Sequence, residues 1–146
     1  MTEIDNETWL VNELYKINVC QANTFIGHLQ PALFLFDEEH QIITLKYPIF
    51  EWQKNLHGYL SSFIAEAMQE VAIELAINCF TRTGIPSAES NYVDFVRRIS
   101  TGDHVMVETA IGRMGENSVS VMSSLYDSEK GKVAAKTKGI YRLSEK

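Results

Sequence analysis

One continuous segment, residues 58–83, constrains the fold of this chain more than any other feature. From Gly58 to Thr83 the sequence contains no proline and no internal glycine, and it is dense in Ala, Leu, Ile, Glu and Gln, a composition that favours a helix. Gly84 followed by Pro86 is a typical helix stop. Apolar residues occupy most of the circumference of this helix, so we expect other structure to wrap around it.

Six strands are predicted around this helix. Two strands precede it and four follow it, at residues 32–36, 41–47, 90–99, 104–111, 118–126 and 132–143. Turns rich in Gly and Asp separate the last four strands, which predicts that these four form an antiparallel meander. A shorter helix is predicted near the N-terminus, where Asn6 can cap a turn whose apolar face carries Trp9, Leu10, Leu14 and Ile17. Residues 18–30 show no clear pattern.

The fold class is therefore α+β, with one domain over residues 1–146 in which an antiparallel sheet is wrapped around one long central helix, with an extra N-terminal helix. A single helix covers only one face of such a sheet. The far face and the edge strands then stay open, which favours a symmetric homodimer or a dimer of dimers.

The charge and the spacing of polar residues argue against several functions. The net charge is −6, and Arg97–Arg98 is the longest run of basic residues, so nucleic acid is an unlikely partner. The four histidines and two cysteines lack metal-ligand spacing, so no metal is expected. Cys20 and Cys79 lie among apolar neighbours, and we expect both to be reduced and buried.

No export or membrane segment is predicted. Residues 1–6 have neither the basic nor the apolar region of a signal peptide. The most apolar stretch, 71–80, contains Glu74 and Asn78 and is too short to cross a bilayer. The expected location is the cytoplasm, with no membrane as partner.

Three segments resemble the PaaI-type thioesterases of the hotdog superfamily, over residues 30–143. The first runs from Asn55 to Leu60 and contains His57-Gly58, with Glu66 nine residues after His57. The family has a Leu-His-Gly-Gly motif there, followed by an acidic residue at the same distance. Residues 95–103, with an aromatic, two arginines and a Gly-Asp turn, and residues 131–139 are similar to the family's later strands.

The resemblance implies a hotdog fold and hydrolysis of an acyl-coenzyme A to free acid and CoA. Glu66 would act as general base or nucleophile, with His57 and Asn55 beside it and the Gly58 N–H as oxyanion donor. Gly58, at the first turn of the predicted helix, has an N–H that no side chain shields and that points along the positive end of the helix dipole. The site would be shared across a dimer interface, with no cofactor apart from the CoA of the substrate.

Substrate-binding residues are also implied. Arg97, Arg98 and Arg113 are expected near strand ends, where they can meet the phosphates of CoA. Tyr59 stands where the family has its second Gly, and we expect it to shape the acyl pocket. Ser87 lies where the family often has a hydroxyl residue facing the acid.

Alternatives to this assignment remain. Glu51 stands six residues before His57, where the family usually has Asn. Together with Tyr59, Glu51 favours a second hypothesis, a non-catalytic protein that binds or senses acyl-CoA or an acyl carrier. Glu66 also belongs to a four-residue repeat typical of a solvated helix stripe, which consists of Ser62, Glu66, Glu70, Glu74 and Asn78. A hydratase of the same fold is disfavoured, because its usual motifs are absent from the sequence.

Overall fold

The computed structural model describes residues 4–82, 86–99, 104–127 and 131–143. Three α-helices are α1 (Asn6–Tyr15), α2 (Phe25–Leu29) and α3 (Ser62–Thr81). A π-helical turn, Lys16–Cys20, follows α1, and a 3-10 turn, Glu51–Gln53, precedes α3. The strands are β1 (Ala32–Asp37), β2 (Ile42–Pro48), β3 (Pro86–Phe95), β4 (His104–Met114), β5 (Ser118–Asp127) and β6 (Lys132–Leu143).

One antiparallel sheet contains all six strands, in the order β1-β2-β4-β5-β6-β3. Helix α3 packs against one face of this sheet, and its buried residues form the centre of the hydrophobic core with the inward-facing residues of β2, β4, β5 and β6. The predicted architecture, an antiparallel sheet around one long helix with an additional N-terminal helix, is confirmed.

The predicted meander is confirmed for β4, β5 and β6 but is wrong for β3. β3 pairs with β6, with Phe95 opposite Ala135, and β4 lies between β2 and β5. After β3 the chain leaves the sheet: the N–H groups of Val96 and Arg97 both donate to the carbonyl of Ala134, and Leu60 N–H donates to Ile99 O. These bonds carry the chain past the start of α3, so β3 becomes an edge strand instead of the first half of a hairpin.

The predicted start of the long helix is also wrong. Helix α3 begins at Ser62 rather than Gly58, because residues 54–60 fold back on themselves through a bridge between Lys54 and Leu60. Ser61 N–H donates to Gln53 O at 2.9 Å and holds this fold-back beneath the helix. At the other end, Arg82 in a left-handed conformation follows the last helical residue. The predicted stop at Gly84 lies outside the described residues.

The N-terminal helix differs from its prediction at the cap. Asp5 caps α1 and accepts a 2.7 Å hydrogen bond from Thr8 N–H, whereas Asn6 is the first helical residue. The predicted apolar face is confirmed, since Leu10 and Leu14 are buried in the core. Cys20 is exposed, contrary to the prediction, because the π-helical turn directs it outward, while Cys79 on α3 is buried; both thiols are free.

A buried polar layer connects α3 to the sheet. The Gln69 side chain is fully buried; its Nε2 donates to Ser123 O at 3.0 Å, and its Oε1 accepts from the Thr137 hydroxyl at 3.1 Å. The hydroxyls of Ser123 and Thr109 lie 3.0 Å apart. Because buried polar groups are costly without partners, this layer fixes one register of the helix on the strands.

Candidate active site

The segment that carries the His-Gly motif forms a tight loop, residues 55–59, organised by the side chain of Asn55. Its Oδ1 accepts hydrogen bonds from His57 N–H at 2.9 Å and from Tyr59 N–H at 3.1 Å. The Asn55 backbone closes the same loop, since its N–H donates to Tyr59 O at 2.7 Å and its carbonyl accepts from Gly58 N–H at 3.1 Å. With Oδ1 held by two donors, the Asn55 NH₂ group is the part of the amide left for a ligand.

Gly58 is placed by this loop and not by a helix. Its φ of +83° lies in the left-handed region that favours glycine, and a Cβ there would have nothing within 4 Å. The physical argument for Gly58 from a helix N-terminus is therefore wrong. Its N–H belongs to a turn, where it donates to the Asn55 carbonyl.

A groove of about 400 Å³ opens beside the loop; we call it the loop groove. It lies between the 55–59 loop, the first turn of α3 and the segment that follows β3. Four predicted site residues line it, namely Asn55, Tyr59, Arg97 and Arg98. Ala65 and Ser62 on α3 also line it. Neither was predicted as a site residue, because a small residue on an apolar helix is typical of core packing and Ser62 belongs to the predicted solvated stripe.

Two arginines give this groove positive charge. The Arg98 guanidinium lies 5.2 Å from the centre of the Tyr59 ring, a cation–π distance, and Tyr59 is half-buried beneath it. Arg97 Nε donates to Val133 O at 3.2 Å, and both arginine side chains are exposed. The groove therefore combines an amide donor, an aromatic wall and two cations, a set suited to an anionic ligand with a polar carbonyl.

Glu66 is on α3, one turn beyond Ser62, and its side chain is exposed. Within the described part of the chain it has no hydrogen-bond or ion-pair partner. Phe63 beside it is 72% exposed, and Leu56 at the tip of the 55–59 loop is fully exposed. Large apolar side chains this exposed are typical of a surface that another molecule covers.

The rest of the acidic stripe is not solvated as the periodic pattern predicts. Glu70 Oε2 accepts a 2.7 Å hydrogen bond from the hydroxyl of the buried Tyr141, and burial together with Glu70 raises the pKa of that phenol. Burial raises the pKa of the Glu74 carboxyl, and the charge of Glu70 one turn away raises it further.

Ser87 and Arg113 lie away from the groove. Strand register places Ser87 opposite Arg142 and Met114 opposite Val119, so both predicted residues are at the end of the sheet remote from Phe95 and the loop groove. Along β3 alone, Ser87 and Phe95 are separated by roughly 26 Å at 3.3 Å per residue. Glu51, which occupies the family's Asn position, forms a 2.7 Å ion pair with Lys54 at the surface.

Two further results bear on the class of site. Over the ranges that the structure describes, no group of three or more His, Cys, Asp or Glu residues could hold a metal ion. No helix within those ranges is long and apolar enough to cross a membrane.

Comparison with known proteins gives structural matches only. No family model matches the sequence, and no curated protein matches it. Zebra fish thioesterase superfamily member 2 is similar in structure, with a TM-score of 0.81 and 11% identity over 97% of this chain and all (100%) of that chain. The PaaI protein of the Escherichia coli phenylacetic acid degradation operon has a TM-score of 0.77 and 15% identity, covering 97% of this chain and 96% of that one.

A third match is a Streptococcus mutans protein solved with bound acetyl-CoA, with a TM-score of 0.69 and 9% identity over 80% of this chain and 90% of that one. At these identities the matches establish the fold. The chain has the hotdog fold of the PaaI-type thioesterases, as the resemblance of its motifs implied.

The Glu74 environment leads to a prediction on stability. Because the folded protein raises the Glu74 pKa above its ordinary value of 4.5, the charged form destabilises the fold at neutral pH, and this penalty disappears as the carboxyl is protonated. We expect Glu74→Gln to raise the melting temperature at about pH 8 and to change it little at about pH 4. Glu108→Gln, on the outer sheet face, is the matched control and should be neutral at both. An equal change in melting temperature for Glu74→Gln at both pH values would contradict a raised pKa for Glu74.

Proposed function

We propose that this protein hydrolyses the thioester of an acyl-coenzyme A, releasing the free acid and CoA. The observation that carries the proposal is the loop groove, where the pinned amide of Asn55 and the guanidinium groups of Arg97 and Arg98 face one cavity. The hotdog fold shared with thioesterases, and the acetyl-CoA bound to the Streptococcus mutans protein, support this choice of substrate. The reaction as proposed needs no cofactor or metal.

The chemistry requires one base and donors to an oxyanion. The Glu66 carboxylate takes a proton from water as the water oxygen bonds to the thioester carbon, and the carbonyl electron pair moves to oxygen. Collapse of this intermediate breaks the C–S bond and expels the CoA thiolate, which takes up the proton. Direct attack by Glu66, giving a mixed anhydride that water then cleaves, is the second route.

Asn55 is the donor we assign first. The loop makes no hydrogen bond to Nδ2 of Asn55. The orientation of the amide is fixed, because in the flipped orientation its NH₂ group would face two backbone N–H donors. It therefore takes the place of the family Asn that Glu51 replaces. The Gly58 N–H is the second donor, since a developing oxyanion competes well with the neutral Asn55 carbonyl for it. His57, at the tip of the same loop, would line the entrance.

Glu66 would complete this site from a second copy of the chain, as the family resemblance implies. β3 is an edge strand, and two copies related by a two-fold axis pair such an edge antiparallel. This pairing puts the Phe95 end of one β3 beside the Ser87 end of the other, so a dimer would bring Ser87 of one copy toward the loop groove of the other. Arg113, at the same sheet end as Ser87, would then face the entrance for CoA. The exposed Phe63 and Leu56 would be covered by the same contact.

Tyr59 would form a wall of the acyl pocket. The family glycine at this position leaves space that the Tyr59 ring fills, and Arg98 holds that ring in place. We therefore propose that Tyr59 limits the size of the acyl group.

The second candidate function is a non-catalytic acyl-CoA or acyl-carrier binding protein. It is favoured by the exposure of Glu66, which has no partner within the described chain to orient it, and by the surface ion pair of Glu51. Binding of acyl-CoA without turnover would support this alternative.

Thiol release from a panel of acyl-CoA thioesters, followed with a thiol-specific dye, tests the proposal directly. We expect turnover by the wild type and a loss of at least about a hundredfold in kcat for Glu66→Gln, because the amide keeps the shape of the side chain but cannot accept the proton. Glu74→Gln, two turns along the same helix, is the matched control and should keep its turnover. Equal losses of kcat in both variants, with the fold intact, would contradict a catalytic role for Glu66.

The Asn55→Asp variant tests the donor role of the side chain without removing the hydrogen bonds that hold the loop. The carboxylate can still accept from the His57 and Tyr59 N–H groups, so the loop should persist, but an anion replaces the NH₂ donor. We expect kcat to fall by at least about a hundredfold, the loss typical of one oxyanion donor. Asn12→Asp adds the same charge at an exposed position of α1, outside the loop groove and the β3 edge, and should leave kcat unchanged. Wild-type turnover by Asn55→Asp would exclude the amide as a donor.

A further inference from the structure

A second groove, larger than the loop groove, is bordered by Phe50 and Trp52 in the segment that leads to the 55–59 loop. Its volume is about 740 Å³, and we call it the aromatic groove. The residues of its wall that bear on its ligand are Asn18, Phe25, His28, Gln30, Phe50 and Trp52. This groove was not predicted from the sequence, because residues 18–30 show no clear pattern.

The walls of the aromatic groove are held in place by local hydrogen bonds and close packing. Thr24 caps α2 by accepting from Gly27 N–H at 3.1 Å, and a Cβ at Gly27 would lie 2.0 Å from Gln21 O, so the preceding turn packs directly on α2. On the opposite wall, Phe50 N–H donates to Gln53 Oε1 at 3.0 Å. Gln53 itself is fully buried behind this wall, and its Nε2 has no hydrogen-bond partner among the described residues.

The aromatic faces are open to a ligand. Trp52 is 52% exposed and Phe25 is 48% exposed, although both border a cavity. Half-exposed aromatic side chains that border a cavity can stack on a planar ring. A nucleobase is such a ring, because every nucleobase has a π-face.

The polar atoms of the groove indicate which hydrogen-bonding groups the edge of such a ring must carry. Both hydrogens of Asn18 Nδ2 are used, by Leu14 O at 2.9 Å and Pro31 O at 2.8 Å, so Asn18 offers a ligand only its Oδ1 acceptor. Among the described residues, no Asp, Glu, Lys or Arg lines the groove, which disfavours a phosphate or a carboxylate inside it. A neutral planar ring with an exocyclic amine fits this set, and a purine with an amino group is such a ring.

We infer that the aromatic groove binds the adenine of coenzyme A. This inference rests on the proposed function, which supplies CoA as part of the substrate. Trp52 and Asn55 are three residues apart, so their Cα atoms lie within about 11 Å of each other, at no more than 3.6 Å per residue. The two grooves therefore border the same short stretch of chain, so one CoA could place its base against Trp52 and its thioester at Asn55.

The kinetic test compares two thioesters with the same acyl group, one of CoA and one of pantetheine, which lacks the nucleotide. Trp52→Ala should raise KM for the CoA thioester by about five- to a hundredfold, the range seen when an aromatic stacking partner is removed, and leave KM for the pantetheine thioester and both kcat values unchanged. Phe34→Ala, an exposed aromatic on β1, is the control. Equal rises for both thioesters would place the acyl group or the pantetheine arm in the groove and overturn the inference, as would unchanged KM values.

A binding test keeps the inference separate from the proposed function. The chain has two tryptophans, and Trp9 lies under the Arg82 guanidinium at 5.1 Å, on α1. Adenosine should quench the fluorescence of wild-type protein and of Trp9→Phe but not of Trp52→Phe. Quenching without hydrolysis of any thioester would overturn the proposed function while supporting the adenine groove. Hydrolysis without quenching would overturn the groove and leave the function standing.

Discussion

The structure depends on the burial of α3 against a single antiparallel sheet, with Gln69 holding the helix in one register. The amide of Gln69 reaches Ser123 and Thr137 on two central strands, so a slip of the helix would leave buried polar groups without partners. This register sets the start of α3 beside the ends of β3 and β6. The 55–59 loop, the two arginines and the groove between them follow from that placement.

In the proposed site, each copy of the chain would supply one half. The loop groove is at one end of β3, whereas Ser87 is at the other end, and β3 is an open edge. Exposed Phe63 and Leu56 flank the groove, and Glu66 beside them has no orienting partner within the described residues. A two-fold contact along β3 would join the two ends and cover the apolar side chains. Under this proposal, the protein would need to form a dimer in order to catalyse the reaction.

The sequence predicted those parts of the fold that local pattern determines. The central helix and all six strands follow from periodicity and turn residues, but β3, predicted at residues 90–99, begins and ends four residues earlier, at Pro86–Phe95. The position of β3 beside β6 depends on long-range pairing that periodicity does not encode. The start of α3 at Ser62 depends on a side chain, since Asn55 Oδ1 captures two N–H groups and stabilises a loop in a segment with helical composition. The sequence predicted Asn55 and Arg98 as candidate site residues, but it could not predict the orientation of the Asn55 amide or the stacking of Arg98 on Tyr59.

The central claim is that the 55–59 loop of one copy and Glu66 of the other form one site. Its most direct test mixes two variants that are each inactive, Glu66→Gln and Asn55→Asp, and measures thiol release from an acyl-CoA after the subunits have exchanged. A mixed dimer has one site with both residues intact, so random pairing should restore about a quarter of wild-type activity. Mixed dimers that form, as shown by co-purification through a tag on one variant, yet stay inactive would contradict a shared site.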